Sequence, residues 1–242
     1  GAKEAVLVAW GIDTEGRKHL LHLAVGNKES EDCWIEFFRH MVARGLRMPT
    51  TVTSDGAPGL INAIRVVFDK AVRIRCWYHR LSNLRSKLPD AAAPEVMAEL
   101  RAIRDAPTLD AARVQADRVI NRYRSQYPAM VACLKDDLEA LLAVHRVPVR
   151  HRINVRTTNL VERSFVEERR RTKVIPRLLD EKSAMKLVFA TLIRCAQRWM
   201  RISVSDLERH QLRLLRQKLG IDPPQPDTQQ DDTTGNKETT AA

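Results

Sequence analysis

The sequence predicts an α/β protein whose sheet-forming part is interrupted by an all-helical segment and followed by further helices. Strand and helix signals alternate over the first 80 residues. Between residues 78 and 144 the strand signals vanish, and Pro94, Pro107 and Pro128 punctuate three segments rich in Ala, Leu, Arg and Asp. A third observation concerns partners: 41 Lys and Arg stand against 30 Asp and Glu, a formal charge of +11.

The elements follow in order. Residues 4–26 hold two apolar runs on either side of Asp13-Thr14-Glu15-Gly16, which is turn chemistry, so they predict a hairpin. Ser30 can cap a helix whose apolar face is Trp34, Phe37, Phe38, Met41 and Val42, and Gly45 ends it. Residues 50–54 are β-prone and stop at Asp55-Gly56. Pro58 suits the first turn of a helix running to Phe68. Val72, Ile74 and Cys76 alternate with Arg73, Arg75 and Trp77, the pattern of a half-buried strand with its arginines outward. Residues 147–156 are basic and predict an extended segment. Residues 159–172, 180–200 and 205–219 predict helices; in the last, Leu207, Leu212, Leu214, Leu215 and Leu219 form a docking face rather than a coiled-coil seam.

Composition removes several classes. No run of about eighteen uncharged apolar residues is present, which argues against a membrane-spanning helix. The N-terminus lacks the basic-then-apolar layout of a secretory signal. Cys33, Cys76, Cys133 and Cys195 are far apart with no CxxC pair, so neither a disulfide framework nor a zinc ribbon is suggested, and a reducing cytoplasm fits. No phosphate-binding glycine loop, Ser-His-Asp set or HExxH motif is visible. Residues 221–242 carry five acids and one base, rich in Pro, Gln and Thr, and predict a disordered acidic tail. The residues before that tail therefore carry +15, which favours a polyanion such as nucleic acid over an unspecific basic surface. The chain starts at Gly1, which reads as part of a longer reading frame.

Two acids stand out. Asp55 ends a strand and precedes Gly56 and a helix; ligands gather at that edge of an α/β sheet, although Asp-Gly is also ordinary turn chemistry. Glu162 lies in Thr157-Thr158-Asn159-Leu160-Val161-Glu162-Arg163, where Asn159-x-x-Glu162 is equally close to a capping box. Bases surround it: Arg150, Arg152 and Arg156 before, Arg163 beside, and Arg169, Arg170, Arg171 and Lys173 after. A carboxylate to hold Mg²⁺ amid bases that hold a phosphate backbone is the combination that metal-dependent phosphoryl transfer needs. The alternative is a solvated helix face in which those bases pair with Glu167 and Glu168. Cys76 and His79 form a C-x-x-H unit with too few ligands for a closed zinc site. Trp77 and Tyr78, beside Arg75 and Arg80, suit either stacking on unpaired bases or the core.

The ordered set resembles the mutator-type transposases of bacterial insertion sequences. It comprises Thr53-Ser54-Asp55-Gly56, then Arg75-Cys76-Trp77-Tyr78-His79-Arg80, a helical insertion, and Thr158-Asn159-Leu160-Val161-Glu162-Arg163 with Arg169-Arg170-Arg171. The resemblance covers nearly residues 1 to 220. It implies a DDE recombinase with an RNase H-like mixed sheet and flanking helices, interrupted by the all-helical insertion. Residues 1–88 would be the N-terminal part of that core, 89–148 the insertion, 149–220 the helices that complete the core and bind DNA, and 221–242 the tail. Asp55 and Glu162 match the second and third acids, which would bind two Mg²⁺ or Mn²⁺ ions. Cys76 and His79 match the family signature. The first Asp of the triad is expected upstream of the segment matching residues 3–10, since Asp13 reads as a turn residue. Partners implied are double-stranded DNA (the element's terminal inverted repeats and its target) and a second copy of the protein, in the bacterial cytoplasm at the nucleoid. Two other readings stay open: a catalytically inactive DNA-binding remnant with a regulatory effect, and a structure-selective nuclease.

Overall fold

The computed structural model of the chain describes residues 5–26, 30–172 and 181–223. β1 (Ala5–Ile12) and β2 (Lys18–Gly26) form the antiparallel hairpin expected, with a bulge between Ala9 and Trp10. Its turn needs Gly16, at φ 78°, and Asp13, whose Oδ1 accepts the N–H groups of Glu15 and Arg17 at 2.9 Å each. α1 (Glu31–Ala43) starts at Ser30, whose hydroxyl accepts the Cys33 N–H at 3.4 Å. β3 (Thr51–Ser54) and β4 (Val72–Arg75) pair in parallel, joined by α2 (Pro58–Val67). Among the described residues the strands therefore make two separate two-stranded sheets, where one mixed sheet was expected. Both rest on one helical layer. Phe37, Phe38 and Met41 of α1 and Ile64 of α2 form a core with Leu7, against which Leu21, Ala24 and Val52 pack. Burial of each such side chain stabilises the layer by roughly 1.5–3 kcal/mol. Val42, expected on the same face, is 44% exposed, because the helix turns it away from the layer.

The stretch in which strand signals vanish is helical among the described residues: α3 (Trp77–Arg85), α4 (Ala93–Arg104), α5 (Leu109–Tyr123), α6 (Pro128–Lys135) and α7 (Leu138–Leu142), with a 3₁₀ turn at Ala143–Arg146. Its prolines begin helices. Pro94 and Pro128 occupy first turns, where a missing N–H costs no hydrogen bond, and Pro107 precedes the Thr108 cap of α5. The larger core unites these helices with β4 and α3. Trp77 is fully buried in it and donates from Nε1 to the Leu141 carbonyl at 3.0 Å; Ile74, Leu84, Leu100, Ile103 and Leu134 belong to the same cluster. The base-stacking option for Trp77 is thereby closed.

Residues 147–156 are not extended. α8 (Val149–Val155) occupies them, with Pro148 at the cap position and φ −49°. Proline there pre-sets a helix start instead of preventing one. α9 (Asn159–Thr172), α10 (Glu181–Arg198) and α11 (Asp206–Lys218) follow. The leucine face of α11 is only partly a docking face: Leu212 and Leu219 pack on the larger core, while Leu207 and Leu214 are exposed. Most of the acidic tail, from residue 224, lies outside the described residues. Among the described residues no helix is long and apolar enough to cross a membrane.

α11 opens with a capping box that also ties it to α8. The Glu208 carboxylate accepts the Ser205 N–H at 2.7 Å and the Ser205 hydroxyl at 2.8 Å, and lies 3.4 Å from His151 Nε2. Those Ser205 bonds, the backbone one first, hold the Glu208 pKa down to about 2 from 4.5. A depressed carboxyl stabilises the fold above its unfolded value and loses that contribution as pH falls through the folded one. Glu208→Gln should therefore be less stable than the unmodified protein at neutral pH. Urea denaturation at a series of pH values should show that margin shrinking between pH 4.5 and about 2. A margin unchanged across that window would contradict the assignment.

Candidate active site

Asp55 stands one residue past β3, exposed, with Oδ1 accepting the Ala57 N–H at 3.2 Å. The turn depends on Gly56, at φ 90°. Strand pairing continues past β4, since the Cys76 N–H donates to the Ser54 carbonyl at 2.8 Å. Asp55 and Cys76 thus lie at the C-terminal ends of two adjacent parallel strands, the edge at which α/β sheets gather ligands.

The chain returns from the insertion to this same edge. Thr53 Oγ1 donates to the Val155 carbonyl at 2.5 Å, and the Trp77 N–H donates to the Arg156 carbonyl at 2.9 Å. Thr158 then meets Cys76: its N–H and its Oγ1 both lie 3.4 Å from the Cys76 Sγ. Thr158 Oγ1 is also 3.1 Å from Glu162 Oε1. A hydroxyl has one proton, and a carboxylate is the stronger acceptor, so the backbone N–H serves the sulfur and the hydroxyl serves Glu162. His79 Nε2 approaches the same Oε1 at 3.4 Å. On the far side of α9, Trp10 Nε1 donates to the Ser164 hydroxyl at 3.2 Å, and Ser164 is fully buried. A path of contacts through Ser54, Cys76 and Thr158 thus joins the two acids across 106 intervening residues.

The capping box expected of Asn159 and Glu162 does not form. Asn159 is the first residue of α9 and exposed; Thr158 precedes it, and its carbonyl accepts the Val161 and Glu162 N–H groups at 2.9 and 3.1 Å. Glu162 is free to turn its carboxylate to Thr158 and His79, at 40% side-chain exposure. Cys76 and His79 touch that arrangement without forming a zinc site. Among the described residues no group of three or more His, Cys, Asp or Glu side chains is placed to hold a metal ion.

The basic residues divide by environment. Arg150 and Arg163 are exposed, and Arg163 lies close enough to Lys18 to lower the lysine's pKa, an effect smaller than that of the lysine's own burial. Arg156 pairs with Asp105 at 2.7 Å. Arg152 is turned inward, where it donates to the carbonyls of Val147, Ala106, Pro107 and His145 at 3.0 to 3.2 Å. Arg169, Arg170 and Arg171 belong to α9, but their side chains lie outside what is described, and Lys173 lies outside the described residues. Tyr78 is 61% exposed beside His79, whereas Arg80 is buried against Asp136 and the Cys133 carbonyl. Sequence reasoning missed Thr158, which carried no signal beyond its place four residues before Glu162. It also missed the burial of Arg75, which strand alternation places outward.

The sequence profile of the Mutator family of transposases matches residues 2–202. The chain belongs to that family. Among relatives, the transposase for insertion sequence element IS6120 of Mycolicibacterium smegmatis is 31% identical over 230 residues, 92% of this chain and 71% of the relative. The transposase for ISRM5 of Rhizobium meliloti is 32% identical over 88% of this chain and 55% of its own length. That for IST2 of Acidithiobacillus ferrooxidans is 33% identical over 81% of this chain and 67% of its own length. This Mutator-family chain therefore spans between about half and somewhat over two thirds of these relatives.

The Thr158 hydroxyl should contribute on the order of 1 kcal/mol through its bond to a charged acceptor, discounted for partial exposure. Thr158→Val, which keeps the shape and removes the hydroxyl, is expected to lower stability by about that amount. Thr158→Ser should stay within about 0.5 kcal/mol of the unmodified protein. Equal stability of both variants in urea titration would remove the hydroxyl from the account.

Proposed function

We propose that this Mutator-family chain carries the larger part of the catalytic core of a DDE-type transposase, which cleaves insertion-sequence ends and joins them to target DNA. The supporting observation is the hydrogen-bonded path from the Asp55 edge through Cys76 and Thr158 to Glu162. An RNase H-like core fits the architecture. The β1–β2 and β3–β4 pairs rest on the same α1–α2 layer, as the two flanks of one sheet would. The reading requires a further carboxylate from the remainder of the protein, because Asp13 is committed to its turn.

The donor chemistry fits Mg²⁺ or Mn²⁺. Asp55 and Glu162 offer hard carboxylate oxygens and are solvent-accessible, and the nearby sulfur of Cys76 is buried and bonded to Thr158. Two such ions, when bound, activate a water or a 3′-hydroxyl and stabilise the leaving oxygen, so no covalent protein–DNA bond is required. Asp55 holds its carboxylate at a rigid strand end. Thr158 and His79 hold Glu162 in place. Arg150 and Arg163 reach phosphates from the exposed side, with Asn159 between them in sequence; Arg169, Arg170, Arg171 and Lys173 extend the basic run. Partners are the element's terminal inverted repeats, the target duplex and a second copy of the protein on the paired end.

Glu162→Ala and Asp55→Asn, made in the complete protein, should each lower strand cleavage and joining in Mg²⁺ by at least about 100-fold, the scale of removing a group that stabilises transition-state charge. Duplex binding measured in EDTA should stay the same. Undiminished joining by either variant would refute the assignment.

A further inference from the structure

β4 ends in an arginine that takes no part in the contacts around Glu162. Arg75 is only 7% exposed. Its Nε is buried with no hydrogen-bond partner, and its guanidinium pairs with no carboxylate among the described residues. It lies over the Asp55-Gly56 turn: a Cβ on residue 56 would fall 0.7 Å from Arg75 Nη1. Gly56 is thus required twice, by its positive φ and by the guanidinium that occupies the side-chain space.

Two neighbouring arginines show what this chain does with a buried guanidinium that has a structural task. Arg73, two residues earlier on β4, forms a two-bond pair with Asp137. Arg80, on α3, reaches Asp136 and the Cys133 carbonyl. The insertion supplies an acid to each of them. Of the three, only Arg75 lacks one among the described residues. Its burial, with Arg80 close by, lowers its pKa; the charges of Asp137, Asp55 and Cys76 act in the opposite direction without outweighing it. A desolvated guanidinium is costly unless an anion meets it, and its planar fork matches a phosphate.

We propose that Arg75 is a phosphate-binding residue of the Asp55 edge, contacting one backbone phosphate of the DNA that enters there. The anion is a phosphate rather than a protein carboxylate because the open strand edge is where ligand enters and the residues before the tail are strongly basic. The contact rests on the reading of this edge as the DNA-facing one, but it does not require the metal assignment. Arg75 would hold the backbone in register with Asp55, and Gly56 is the residue that lets the guanidinium reach over the turn.

The test is the salt dependence of binding, measured in EDTA with the complete protein and a duplex copied from the sequence flanking its own gene. Arg75→Met removes the charge and replaces an unpaired buried cation with an apolar chain, so it should fold with undiminished stability. The slope of log K against log salt should fall in magnitude by about 0.9, the value of one phosphate contact. Arg75→Lys should keep the slope of the unmodified protein while binding several-fold more weakly, because the ammonium keeps the charge and loses the fork. An unchanged slope in a folded Arg75→Met protein overturns the proposal. A large loss of stability with an unchanged slope does the same and assigns Arg75 to a protein acid. If Arg75→Met does not fold, Arg75→Lys decides: wild-type affinity in that variant overturns the proposal. Because no metal is present, activity surviving in Glu162→Ala would leave this result standing.

Discussion

The seam between residues 155–158 and the ends of β3 and β4 is the constraint on which the site depends. Three donors make it: Thr53 Oγ1, the Trp77 N–H and the Thr158 N–H. Each bond is worth on the order of 1 kcal/mol net. Their combined effect is positional rather than energetic, because they join groups far apart in sequence at fixed distances. The chain departs from the sheet at Trp77 and comes back at Arg156, and one hydrogen bond between those two residues closes the excursion. The helical segment between them is thus held at both ends, on a core that it shares with β4.

The same seam brings Cys76 and His79 to Thr158 and Glu162. Cys76 is fully buried, so its sulfur is an acceptor for the Thr158 N–H and not an exposed nucleophile. His79, one helical turn on, lies beside Glu162. The two positions sit at the start of α3, whose Trp77 is locked into the larger core. Packing in the insertion is thereby coupled to the position of Glu162, through a helix that belongs to both. The net charge needs similar care. Arg73, Arg80 and Arg156 pair with acids, which leaves the net charge as composition gives it, and Arg152 is turned inward onto carbonyls, so these four guanidiniums are already engaged within the protein.

Local chemistry made much of this legible in advance. The Ser30 cap, the prolines that begin α2, α4 and α6, the end of β3 at Asp55 and the span of α9 all follow from short-range rules of capping, φ restriction and periodicity. Those rules also erred in instructive ways. Basic composition suggested an extended segment where Pro148 starts α8. Alternation placed Arg75 outward, although the open space above Gly56 admits its guanidinium. Asn159 and Glu162 matched a capping pattern that Thr158 pre-empts. The interactions that organise the site, from Thr158 to Cys76 and from Trp77 to Arg156, join residues about eighty positions apart. No window along the sequence contains both partners, so only the folded chain brings them into view.

Localised oxidation tests most directly whether Asp55 and Glu162 share an ion. Fe²⁺ substituted for Mg²⁺ in the complete protein, with ascorbate and peroxide, generates hydroxyl radicals at the bound metal and cuts the backbone beside its ligands. Two clusters of cuts are expected, one near Asp55 and one near Glu162, that are lost together when Mg²⁺ competes. Cutting at only one of the two segments, or scattered cuts insensitive to Mg²⁺, would contradict it.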